Sequence, residues 1–175
     1  ISNIVSVDGH DNDSVKQMAF LDAKFESGFA NPMDEALRAM PEIDINGYVK
    51  TDEIPYDFIR KRLSVCMQKD KLHRLITKGA TDAIVNICNS ALAPDGSIIP
   101  IGQVKNKIDE LYLSYSNQGF RTIGICYKDS ETHLPLTIAD EIGMTFAGFV
   151  LLFDPPKAGF IEVIKALNKN GVDLK

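Results

Sequence analysis

Residues 62–78 read RLSVCMQKDKLHRLITK, and this stretch limits the possible folds more than any other in the chain. Leu63, Val65 and Met67 alternate with Arg62, Ser64 and Cys66, the two-residue period of a half-buried strand. QKDK (68–71) is a tight polar turn, and alternation resumes from Leu72 to Lys78. The result is a hairpin, which commits the middle of the chain to antiparallel pairing.

The flanking segments have a different period. Val15, Met18, Ala19, Leu21, Ala23, Phe25 and Phe29 are spaced as on a helix over 12–29, with Asp13 or Ser14 as its cap. Gly28 and the NP at 31–32 end it, and PMDEALRAM forms a second short helix capped by Asn31. Downstream, Ala83, Ile84, Ile87, Cys88 and Ala91 predict a helix starting near Thr81. APDG (93–96) is a turn and SIIPI a short strand. Val104, Ile108, Leu111, Tyr112 and Tyr115 stripe a helix over 103–117, stopped by Gly119. FRTIGICY (120–127) and residues 144–153 read as strands separated by a polar loop, 128–141, and a last helix is expected over 158–168. Strands joined by hairpins with helices interspersed give an α+β fold with a mainly antiparallel sheet. The two prolines of DPPK, after Phe153, mark the best domain boundary.

At 175 residues, 45% hydrophobic and 25% charged, the chain fits one domain, or one domain and a short attached piece. A net charge of −5 argues against nucleic acid as a partner held by bulk charge. Cys66, Cys88 and Cys126 are scattered without a CxxC and read as buried, reduced thiols. The most apolar run, MTFAGFVLLF, is about half a membrane span, so no membrane insertion of this chain is expected. The chain starts without Met and stops at NGVDLK, as expected of a piece of something larger. No P-loop, GxGxxG, HExxH or GxSxG pattern occurs, and His10, His73 and His133 are far apart in sequence. No nucleophile–base pair is visible, so no catalytic residue is assigned, and no metal site either.

Three short features remain: PYDFIRKR (55–62), TKGATD (77–82) and GFRTIGI (119–125). Taken singly, each has an ordinary structural explanation as a turn, a strand end or a solvated charge. Taken together, they combine an aromatic face with cations. Phe58 can stack on a base while Lys61, Lys78 and Arg121 meet phosphates, which suits a purine nucleotide. Gly79 allows close backbone approach where a strand hands over to a helix.

In order along the chain stand DEIPYDFIRKRLSV (52–65), LITKGATDAIVNIC (75–88), GFRTIGICYKD (119–129) and GFVLLFDPPK (148–157). With these the chain resembles the nucleotide-binding domain of P-type cation-transporting ATPases, and DEIPYDFIRKRLSV looks most like the magnesium-transporting branch. The resemblance implies a twisted antiparallel sheet flanked by helices, with residues 1–153 as the nucleotide-binding domain and 154–175 as a hinge and the start of a phosphorylation domain. It implies ATP, with Mg2+ on the nucleotide, and a γ-phosphate passed to an aspartate in a DKTGT motif that this sequence lacks. Binding of ATP without hydrolysis is therefore expected here.

The resemblance also implies residue roles. Phe58 would stack on adenine, Asp34 would lie near its amino group, and Lys78 and Gly79 would form the pocket floor. Arg121 would reach the phosphates, Ile123 would be an apolar wall, Lys61 would lie near the nucleotide, and Asp154 would belong to the hinge. The chain reads KGATD where the family often has KGAPE, and it is shorter than calcium pumps between Phe58 and RLSV. Arg60 thus competes with Lys61 for the nucleotide-facing place. Strand alternation would set Lys61 opposite Arg60 and Arg62, and Lys61 is the residue expected to turn inward. The implied partners are ATP or ADP and the phosphorylation, actuator and membrane domains of the same polypeptide. The expected place is the cytoplasmic side of a cell membrane, and the expected state a monomer. The alternatives are a calcium or lipid pump of the same family, or a non-enzymatic module whose basic turn binds a protein.

Overall fold

The computed structural model describes residues 1–28, 31–41, 43–130 and 135–153, with 159, 164, 166, 167 and 169 beyond them. Among the described residues twelve α-helices and strands follow in order: β1 (Asn3–Ser6), α1 (Asp13–Phe25), α2 (Pro32–Arg38), β2 (Val49–Asp57), β3 (Arg62–Lys69), β4 (Leu72–Ala80), α3 (Thr81–Val85), β5 (Cys88–Leu92), β6 (Ile98–Pro100), α4 (Lys105–Asn117), β7 (Arg121–Ser130) and β8 (Met144–Leu152). All eight strands form one sheet in the order β2-β3-β4-β7-β8-β5-β6, with β1 pairing to β8 beside β5. Every pairing is antiparallel except β5 with β8. The α+β expectation holds.

The 62–78 hairpin forms as read, with Arg62 opposite Gly79 and Lys69 opposite Leu72. Asp70 takes the left-handed turn position at φ 58°. Side-chain alternation divides the core between the two faces of the sheet. On one face Val65, Met67, Ile76, Ile125 and Val150 pack beneath Val15, Met18 and Ala19 of α1 and Leu37 of α2. On the other, Cys66, Leu75, Cys126, Phe146 and Phe149 pack against Ile84 and Val85 of α3 and Ile108 of α4.

Four expectations change. The cap of α1 is Asn12, whose side chain accepts from the Val15 amide at 3.1 Å, rather than Asp13 or Ser14. The helix read over 81–91 stops at Val85, and Cys88–Leu92 is a strand instead. Asn86, Asn89 and Ser90 favour a helix only weakly, and the ladder to β8, which leaves Ala91 fully buried, prevails. The first residues, with no element assigned from sequence, supply β1 along β8. Arg60 and Lys61 belong to a turn, since β2 ends at Asp57 and β3 begins at Arg62. Phe29, Asp154, the 153/154 boundary and most of the 158–168 helix lie outside the described residues.

Candidate functional site

A cleft of about 720 Å³ opens at one end of the helix-α1/α2 face, between α2, the end of β2 and the adjoining ends of β3, β4, β7 and β8. Its volume is in the usual range for a small-molecule site. Strand register assembles it. The Ala80 N–H donates to the Lys61 carbonyl at 3.0 Å, Ala80 is paired with Ile123, and Ile123 with Val150. One residue row thus runs from the β2–β3 turn across the sheet. Arg121, two residues before Ile123, faces the same way.

The floor is Lys78, 2% exposed. Its ammonium pairs with Asp22 of α1 at 2.8 Å, with Glu26 just past the end of α1 at 3.3 Å, and with Asp34 of α2. Asp22 continues the buried stripe of α1 set by Val15, Met18 and Ala19, one turn further on, and Glu26 caps the helix end, its N–H donating to the Asp22 carbonyl at 3.0 Å. Asn31 holds Asp34 in place: its side-chain oxygen accepts from the Asp34 amide at 3.0 Å, and its amide donates to the Asp34 carboxylate. The Asp22 oxygens have no well-angled hydrogen bond among the described residues, so the Lys78 charge is what compensates them.

Burial pushes Asp22 up to about 6 against the pull of Lys78. Burial, then a hydrogen bond to Asp34, pushes Glu26 up to about 8. Burial also acts to raise Asp34, but the Glu26 hydrogen bond and the Lys78 charge outweigh it and hold Asp34 below the usual carboxylate range. Burial disfavours the Lys78 cation, yet Asp22, Asp34 and Glu26 together hold its pKa above the usual lysine value. Lys78 is therefore a neutralised anchor rather than a free positive charge, and the floor has an excess of carboxylate.

The rim is different in character. Lys61 and Arg121 both line the cleft, are exposed, and have no side-chain ion pair or hydrogen bond among the described residues. Met33, Leu63 and Ile123 supply apolar wall. Gly79 explains the close fit beneath Lys61: a Cβ there would lie 2.4 Å from the Lys61 carbonyl oxygen and 2.6 Å from Arg62 Cβ. The cleft can thus take a ligand with an anionic end at the rim and a donor-bearing end at the floor.

Of the residues expected from sequence, Asp34, Lys61, Lys78, Gly79, Arg121 and Ile123 line one cleft. Phe58 is not among the lining residues: it is 87% exposed in the β2–β3 turn. The aromatics that line the cleft are Tyr56 and, just past the end of β8, Phe153; Phe58 meets the Tyr56 ring edge-on with centroids 5.3 Å apart. Arg60 and Arg62 turn away to Glu141. Sequence reading missed Tyr56, Asp22, Glu26 and Glu141. An acidic residue on the apolar stripe of α1 was a usable signal for Asp22; Glu141, 79 positions from Arg62, had none.

A family model described as P-type ATPase, cytoplasmic domain N, matches residues 5–159. The Magnesium-transporting ATPase, P-type 1, of Escherichia coli (strain K12) is 28% identical over 187 aligned residues, covering 100% of this chain and 20% of that protein. A Salmonella typhimurium (strain LT2) protein of the same name is 31% identical, covering 98% and 20%. The Calcium-transporting ATPase PAT1 of Dictyostelium discoideum is 31% identical over 122 residues, covering 69% and 11%. The chain therefore spans about a fifth of the length of the magnesium-transporting relatives. Among the described residues no helix is long and apolar enough to cross a membrane.

Proposed function

The chain belongs to the P-type ATPase cytoplasmic N-domain family, and from that membership we propose that its cleft holds ATP, with Mg2+ arriving on the nucleotide as part of the substrate. The observation that carries this reading is the charge split of the cleft. Two cations with no ion-pair partner among the described residues, Lys61 and Arg121, stand at the rim, while Lys78 is neutralised on an acidic floor. Phosphates go to the rim, and the adenine amino group goes toward the Asp34 carboxylate. Ile123 and Met33 flank the base.

In the whole pump, the γ-phosphate passes to an aspartate of the phosphorylation domain. That step draws on positioning and charge neutralisation, since phosphoryl transfer leaves little covalent work to the protein. This chain binds and orients the nucleotide and does not hydrolyse it. Asp154 belongs to the hinge toward that domain. The whole protein sits in a membrane with this domain on its cytoplasmic side and transports Mg2+. Coverage of nearly the whole chain by the magnesium-transporting relatives supports that cargo over Ca2+, given the shorter match to the calcium pump.

NMR titration of the chain with ATP and ADP tests the site. The expected result is shift changes at Tyr56, Lys61, Lys78, Arg121 and Ile123; changes confined to other surfaces would sink the reading. The sequence motifs give stacking to Phe58, whereas the cleft is lined by Tyr56, so the two rings are compared directly. Tyr56→Ala should weaken ATP by roughly 1–3 kcal/mol, the usual worth of a base–aromatic stack. Phe58→Ala should cost less, because that ring supports Tyr56 from behind. A larger loss at Phe58 would return the stacking role to it.

A further inference from the structure

The geometry points to Glu141 as a positioning residue that decides which of three consecutive cations meets the cleft, an inference that rests on the nucleotide reading above. Glu141 follows the short turn Ile138–Asp140 in the β7–β8 connection, and its side chain is 0% exposed. Arg60 Nη1 donates to Oε1 at 2.7 Å and to Oε2 at 2.6 Å. Arg62 Nε donates to Oε2 at 2.7 Å, and the Ser64 hydroxyl to Oε1 at 2.7 Å. Ser64 also shares a hydrogen bond of 2.7 Å with Thr77. A buried carboxylate satisfied by two guanidiniums and a hydroxyl is a firm anchor, because losing it strands buried charge.

The anchor lies across the sheet from the ligand. Ser64 is paired with Thr77 and Thr77 with Cys126, one row that faces the α3/α4 side. Leu63, Lys78 and Ile125 form the next row and face the cleft side. Glu141 therefore draws Arg60 and Arg62 to the far face. Lys61, between them, takes φ 54°, a left-handed conformation that a lysine keeps only when its surroundings hold it. Its N–H donates to the Asp57 carbonyl at 2.7 Å, and its carbonyl accepts from Ala80 at 3.0 Å. With both neighbours tied down behind the sheet, Lys61 is the member of the triplet that lines the cleft. This removes the choice between Arg60 and Lys61 that the sequence left open. It also gives the β7–β8 connection a role at a site it does not line.

The test uses Glu141→Gln in the 175-residue chain. Without ligand, amide exchange at Lys61 and Ala80 should accelerate about tenfold or more while the centre of β4 stays protected. By calorimetry, ATP should bind roughly tenfold more weakly and adenosine as before. Lys61→Ala should cause a similar loss alone and little further loss in the Glu141→Gln background, because both changes remove one interaction. If Glu141→Gln does not fold, Ser64→Ala, which deletes a single hydrogen bond to the carboxylate, should show the same changes at smaller size. Unchanged exchange at Lys61 and Ala80, equal losses for ATP and adenosine, or additive effects of the two substitutions would each overturn the assignment. Should the unsubstituted chain give no ATP response, the nucleotide reading fails, and exchange at Lys61 and Ala80 still decides whether Glu141 sets the turn.

Discussion

Lys78 makes the cleft floor a matter of charge balance before it is a matter of binding. It is 2% exposed and faces three carboxyl groups, so its loss leaves Asp22 and Asp34 without their counter-ion in a buried place. Lys78→Met should destabilise the chain by roughly 3–5 kcal/mol, read as a lower urea midpoint, because one partner of a buried ion network is removed. A midpoint within error of the parent would contradict the network. The same cluster sets a pH dependence. Glu26 and Asp22 bind their protons more tightly folded than unfolded, so their effect on stability is best below the ordinary carboxylate range. It worsens as pH rises through about 6 for Asp22 and about 8 for Glu26. Asp34 works in the opposite sense, but only below its ordinary value of 3.8, and the raised Lys78 loses nothing until above 10.5. Stability should therefore fall between about pH 4 and about pH 8, by an amount on the order of a few kcal/mol. Glu26→Gln should flatten most of that slope. A parent chain whose urea midpoint rises over the same window would show that Glu26 gives up its proton early.

Among the elements, the hairpin of β3 and β4 carries most of the site. Gly79 is needed there for space and not for a left-handed backbone: an added Cβ would meet the Lys61 carbonyl oxygen at 2.4 Å. The obstacle is backbone, which cannot swing aside as a side-chain tip can. Gly79→Ala should cost roughly 1–3 kcal/mol in stability, as overpacking does, and should weaken ATP more than adenosine by moving Lys61. Equal stability and equal ATP affinity would show that the turn moves freely. This hairpin was also the most legible part of the sequence, since alternation in 62–78 carries register and facing together. α3 was the least legible. Its first turn is helical, but the residues after Val85 are claimed by β8, more than fifty positions away, and a local pattern has no access to that pairing. β1 was hidden for the same reason, because its partner lies at the other end of the chain.

Across the whole molecule, eight strands meet so that chain segments from residue 1 to residue 153 line or support one cleft. The motifs at 52–65, 75–88 and 119–129 revealed the cations and the glycine of that site, because those residues sit on adjacent strands. They did not reveal the cost of burying Lys78, which depends on α1 packing across the sheet, nor the exchange of Phe58 for Tyr56 at the lining. That exchange follows from β2 ending at Asp57 and leaving Phe58 in the turn. Nor did they reveal Glu141, which acts from behind the sheet. On the proposed reading, one nucleotide spans the cleft from acidic floor to basic rim. A crystal structure of the chain with a non-hydrolysable ATP analogue tests it most directly. The base is expected beside Tyr56 and Ile123 with its amino group toward Asp34, and the phosphates at Lys61 and Arg121. Phosphates on the Lys78 ammonium, or a nucleotide bound at any other surface, would contradict it.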